Sequence, residues 1–138
     1  MKSKLTSPLV MVADRDEMER AQLRAVLKLK GFRVIEAGDG PQAIELAIAA
    51  VPDLLLLDLK LPRLRSSEAI WKIRQEPRLQ KMPIVAVSAH HTGTIPLDPL
   101  TVHASRPIEF TLLDQFLSQF LPPMRSNARL NQIAAATN

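Results

Sequence analysis

The sequence predicts an α/β fold: a doubly wound, five-stranded parallel sheet with helices on both faces. Three observations lead there. Short apolar runs alternate with amphipathic segments along the chain, five times over. The run Leu54-Leu55-Leu56-Leu57 has no polar interruption, as a central parallel strand covered on both faces requires. Capping residues, glycines and prolines fall between the segments, where the chain must turn.

The elements follow in order. Leu9-Val10-Met11-Val12-Ala13 reads as a buried strand. A helix follows over 16–30, with Met18, Ala21, Ala25 and Leu29 on one face and Glu17, Arg20, Arg24 and Lys28 on the other. Gly31 ends it. Residues 33–36 form a short second strand. Asp39-Gly40-Pro41-Gln42 opens a second helix: Asp39 caps it, Pro41 suits its first turn, and Gln42 completes a capping box. Ala43, Ile44, Ala47 and Ile48 give that helix an apolar face. The third strand is 54–57, the third helix 67–76 and the fourth strand 84–87. Residues 91–99 hold a glycine and two prolines, so the helix expected after the fourth strand is degenerate and the segment mobile. A fifth strand spans 101–105. A last helix over 108–121 carries Leu112, Leu113, Phe116, Leu117 and Phe120 along one side, and Pro122-Pro123 stop it. Residues 1–7 are thus an N-terminal extension, 8–121 the domain, and 122–138 a flexible tail.

Composition narrows the function. With 138 residues, 46% of them hydrophobic, the chain can bury one core. No apolar run approaches the roughly 20 residues needed to cross a bilayer, and none follows the basic N-terminus as in a secretory signal. There is no cysteine, which excludes disulfides and thiolate metal sites. A cytoplasmic location is expected. The net charge is +4, but the basic residues are dispersed among acids; aromatics are 4% and tyrosine is absent. That argues against a nucleic-acid surface. His90, His91 and His103 lack carboxylates at ligand spacing, Trp71 is read as a packing residue of the third helix, and there is neither a glycine-rich phosphate loop nor a serine nucleophile elbow.

A doubly wound sheet places its site at the carboxyl ends of its strands. Asp14, Asp58, Ser88 and Arg106 stand there. The segment Pro52-Asp53-Leu54-Leu55-Leu56-Leu57-Asp58-Leu59-Lys60-Leu61-Pro62 resembles the third strand, phosphoacceptor aspartate and proline turn of the response regulator receiver domains of bacterial two-component systems. Glu36 to Ala43, Pro83 to Ala89 and Arg106-Pro107-Ile108 resemble three further stretches of the same family, in the same order. The resemblance covers roughly residues 8–121. It implies a CheY-like, flavodoxin-like domain that is not an enzyme in its own right. Asp58 would accept a phosphoryl group from a sensor histidine kinase and signal to a downstream protein not identified by the sequence. It further implies an acidic pocket at Asp14 and Asp16, a phosphate-sensing hydroxyl at Ser88, and a switch position at His103. The alternative is a phosphorylation-independent pseudo-receiver acting as an interaction module.

The departures from the family pattern are specific. Arg15 holds the second acidic position, Arg106 replaces a lysine, the stretch from Ser88 to Arg106 is short, and Ser66 stands where glycine is common. Magnesium needs hard oxygen ligands, so with Arg15 and Arg106 in the pocket a Mg2+ site is expected to be weak or absent. A monomer is expected.

Overall fold

The computed structural model describes residues 7–89 and 98–122. Five strands form one sheet: β1 (Leu9–Ala13), β2 (Arg33–Ala37), β3 (Leu54–Asp58), β4 (Ile84–Ser88) and β5 (Thr101–Ser105). Their order is β2-β1-β3-β4-β5, and every pairing is parallel. Among the described residues there are four α-helices, α1 (Glu17–Leu29), α2 (Gly40–Ala50), α3 (Ser66–Gln75) and α4 (Phe110–Phe120), and a 3-10 turn at Pro77–Leu79. The expected α/β class holds. β2, β3 and β4 each run one residue past their expected ends, because backbone pairing continues there: Ala13 pairs with Ala37, Asp58 with Val87, and Ser88 with Ser105. The degenerate helix expected before β5 falls largely on 90–97, outside the described residues, as does the tail from residue 123.

Side chains alternate across the sheet. Val10, Val12, Leu54, Leu56, Val85 and Val87 face α1 and α4, where Leu27, Leu113 and Leu117 meet them. Met11, Ala13, Leu55, Leu57 and Ile84 face the other way, onto Ala43, Ala47, Ile70 and Ile73. Both layers are apolar, which is why the central strands tolerate no polar residue before their carboxyl ends.

Local signals place the helices. Asp39 Oδ1 accepts from the Gln42 amide at 2.8 Å, and the Gln42 side chain accepts from the Gly38 amide at 2.9 Å. Gly31, at φ 94°, takes the left-handed turn after α1. The face of α1, however, is not the one expected. Met18 and Leu29 are 73% and 84% exposed; Leu27 is buried, and Leu23 and Val26 pack beside it. Both stripes satisfy helical spacing. The branched one wins because it removes far more apolar area from water than a stripe centred on two alanines. The opposite face shifts accordingly: Arg24 reaches Glu36 on β2 at 2.7 Å, and Arg20 approaches it at 3.7 Å. Trp71 is likewise 62% exposed, not a packing residue, since α3 buries Ala69, Ile70 and Ile73 instead.

Arg74 on α3 ties the entry of β5 to the body of the domain. Its guanidinium donates to the Leu79 and Met82 carbonyls at 2.7 and 2.6 Å and to both oxygens of Asp98 at 3.0 and 3.1 Å. Asp98 in turn accepts from the Thr101 hydroxyl and the Leu100 amide, both at 2.9 Å. This network fixes the first residue of β5 opposite Ile84, and so sets where Arg106 emerges at the other end.

Candidate functional site

The carboxyl edge of the sheet gathers residues far apart in sequence. Asp58 ends the central strand and is 2% exposed. Its Oδ1 accepts from the Lys60 amide at 2.9 Å, and its Oδ2 accepts from the Arg15 amide at 3.2 Å. Asp14 follows β1 and is buried; its amide donates to the Ala37 carbonyl at 3.0 Å. Its Oδ1 accepts from the Asp16 amide at 2.8 Å. Burial raises the Asp14 carboxyl above its ordinary range, and the Asp58 and Asp16 charges add to that; the Asp16 amide and Arg106 oppose it.

Arg106 crosses this edge. It follows β5 through an amide that donates to the Ser88 carbonyl at 2.8 Å, and its bond to Pro107 is cis. The guanidinium is only 10% exposed. Nη2 lies 3.0 and 3.1 Å from the two Asp14 oxygens and also contacts Glu19 Oε2. Nη1 lies 3.0 Å from Asp58 Oδ1, yet its N–H bonds are not aimed at that oxygen, which leaves a buried donor with no hydrogen bond among the described residues. Arg15 covers the other side: its Nε is 3.8 Å from Asp58 Oδ2, and its side chain is 44% exposed. A cavity of about 330 Å³ opens alongside, walled by Val12, Leu23, Leu56, Val87 and Ile108 and bordering Asp14, Asp58 and Arg106. Such apolar walls strengthen the charge interactions beside them.

The sheet therefore brings together Asp14, Asp58, Arg15 and Arg106, with Ser88 buried at the end of β4. Asp16 turns away. It caps α1, its Oδ1 accepting from the Met18 and Glu19 amides at 2.9 and 3.3 Å. His103 is half-buried on β5, opposite Ala86. Sequence reasoning missed two participants. Glu19 supplies the third carboxylate around Arg106, and Arg20 Nη1 holds the Asp14 carbonyl at 2.6 Å. The signal for Glu19 lies in α1: it stands one turn before Leu23, on the face that looks at the sheet, and was concealed by the wrong register.

Three carboxylates thus meet two guanidiniums, one net negative charge if all are ionised. These residues do not fit a magnesium ion. A dication needs several hard oxygens, and here the Asp14 and Asp58 oxygens already face guanidinium or amide donors. No group of three or more metal-ligating side chains is arranged for an ion among the described residues. What the arrangement offers is a buried carboxylate flanked by cations, one with a spare donor: a place where an added anionic oxygen is stabilised.

A parallel sheet of this order, with acids after β1 and β3, a hydroxyl at the end of β4 and a cation after β5, defines the receiver class of phosphorelay signalling modules. The chain belongs to the response regulator receiver domain family, whose sequence profile matches residues 10–109. The polar-differentiation response regulator DivK of Brucella anthropi is 29% identical over 80 residues, covering 58% of this chain and 65% of DivK. The fold matches the receiver domain of the sensor histidine kinase PA1611 from Pseudomonas aeruginosa, solved with magnesium in its active-site cleft (TM-score 0.73, 22% identity, 83% of this chain and 98% of that one). It also matches the Saccharomyces cerevisiae receiver domain of Ssk1, solved with the histidine phosphotransfer protein Ypd1 (TM-score 0.74, 18% identity, 84% of this chain and 90% of that one). At these identities the two structures speak for the fold. No described helix is long and apolar enough to cross a membrane.

Proposed function

We propose that Asp58 is the phosphoacceptor of this receiver domain. The observation that carries the proposal is the buried Asp58 carboxylate with Arg106 Nη1 3.0 Å away, a buried donor that makes no hydrogen bond among the described residues. A phosphoryl group on Asp58 supplies the missing oxygen. The carboxylate attacks phosphorus and forms a mixed anhydride; Arg106 stabilises the transferring oxygens. Asp14 and Glu19 position Arg106, and Ser88 serves as the hydroxyl that senses the new group. His103, on the strand that leads to Arg106, is the switch position. The donor is a sensor histidine kinase or a phosphotransfer protein, by analogy with the partner of Ssk1, and the output is a protein-protein contact with a downstream partner. Magnesium binding is weak or absent. The working unit is residues 8–121, a cytoplasmic monomer that does not bind nucleic acid.

The protein is incubated with phosphoramidate or with a phosphorylated histidine kinase, reduced with borohydride, and mapped by peptide mass. Modification at residue 58, absent in Asp58→Asn, is expected. A folded protein that stays unmodified with every donor overturns the proposal in favour of a phosphate-independent interaction module.

A further inference from the structure

We infer that Asp58 accepts phosphate without a metal, because Arg15 and Arg106 neutralise the transferring group from its two sides; the inference rests on Asp58 being the phosphoacceptor.

The geometry is a clamp. Arg106 Nη1 stands 3.0 Å from Asp58 Oδ1 and Arg15 Nε stands 3.8 Å from Asp58 Oδ2. The two guanidiniums together carry the formal charge of one divalent cation. They differ in mobility. Arg106 is pinned by Asp14 and Glu19 through Nη2, so its free donor is held ready. Arg15 is held by its backbone amide, 3.2 Å from Oδ2, while its side chain is 44% exposed and makes only the longer approach to Asp58 among the described residues. It can lift to admit a donor and settle back on the phosphoryl oxygens. Planar guanidinium forks suit this task better than point charges do.

The chemistry balances without an added ion or proton. With acetyl phosphate, an Asp58 carboxylate oxygen bonds to phosphorus while the bond from phosphorus to the acetyl oxygen breaks. Acetate leaves with the electron pair. The donor's charge passes to the aspartyl phosphate, and the carboxylate's charge leaves as acetate.

Intact-mass labelling by acetyl phosphate is followed in excess EDTA and in magnesium, for the wild type, Arg15→Ala, Arg15→Asp and Asp58→Asn, with circular dichroism to confirm folding. The wild type is expected to gain one phosphoryl group at the same rate in both buffers. Arg15→Ala should slow labelling in EDTA by about tenfold or more, as loss of a donor at a developing charge does. Arg15→Asp should label only with magnesium and should show magnesium binding by calorimetry, which the wild type should not. Wild-type labelling confined to magnesium overturns the metal-free inference and leaves the phosphoacceptor intact. Unimpaired labelling of Arg15→Ala in EDTA also overturns it, by removing Arg15 from the clamp. Failure of the wild type to label in either buffer overturns the metal-free inference, and the phosphoacceptor falls with it when phosphoramidate and a phosphorylated histidine kinase also leave Asp58 unmodified.

Discussion

Ser66 shows how one side chain can replace a family habit. Its hydroxyl is buried and donates to the Leu59 carbonyl at 2.5 Å, closing the loop that follows β3. A glycine here leaves that carbonyl to find another donor. Ser66→Ala strips the donor and keeps the backbone, so it should cost about 1–3 kcal/mol, the usual penalty for a buried acceptor left unpaired. Urea unfolding measures this directly; a change under half of that would mean that the Leu59 carbonyl is satisfied by other means. Gly40 is constrained from the same loop: a Cβ there would lie 2.6 Å from Leu64 Cβ, so the start of α2 and the loop after β3 can touch only through a glycine.

At the scale of elements, α1 carries two stripes at helical spacing, and the fold uses one. Leu27 is buried against the sheet, while Leu29 is 84% exposed. Leu27→Ala is expected to cost about 2–5 kcal/mol through lost transfer energy and a residual cavity. Leu29→Ala should stay within about 0.5 kcal/mol of wild type. Thermal unfolding of the two variants side by side tests the register; equal losses would refute it. The same helix governs the site, because the register that buries Leu27 and packs Leu23 beside it also turns Glu19 toward Arg106. α3 has a comparable double duty. It packs Ile70 and Ile73 inward and sends Arg74 to hold Asp98 at the entry of β5.

For the whole molecule, two carboxyls give opposite pH dependences. Asp14 has its folded pKa raised above 3.8 by burial, against the Asp16 amide and Arg106. Between 3.8 and that higher value the folded state holds more protons than the unfolded state, so stability falls as pH rises. Asp98 is pushed up by burial but held lower on balance by its hydrogen bonds to Arg74 and Thr101, by the Arg74 charge and by the Leu100 amide. Its contribution is complete above 3.8 and is lost as pH falls through its lower folded value. Asp98→Asn should therefore flatten the acid limb of the stability profile. Wild type should lose stability relative to Asp14→Asn as pH rises above 3.8. Denaturation midpoints across the acid range read both slopes, and a reversed slope for either pair would contradict the assignment.

Much of this protein was legible in one dimension. The apolar runs, the Asp39 cap, Gly31 and the Pro52 to Pro62 segment depend on neighbours close in sequence, so spacing alone determined the strands, their class and the position of Asp58. The strand-end rule likewise pointed to Asp14, Ser88 and Arg106. What spacing could not decide was which of two equivalent stripes α1 buries, because that choice is made by the apolar area the sheet offers. It could not show that Trp71 stays in solvent, that Asp16 spends its carboxylate on a helix end, or that Glu19 and Arg20 join the site. The charge state of the pocket was also out of reach. It depends on Arg106 meeting Asp14, Glu19 and Asp58 across separations of 92, 87 and 48 residues, and only the assembled sheet, with β5 held in place by Arg74, brings those charges within reach of one another.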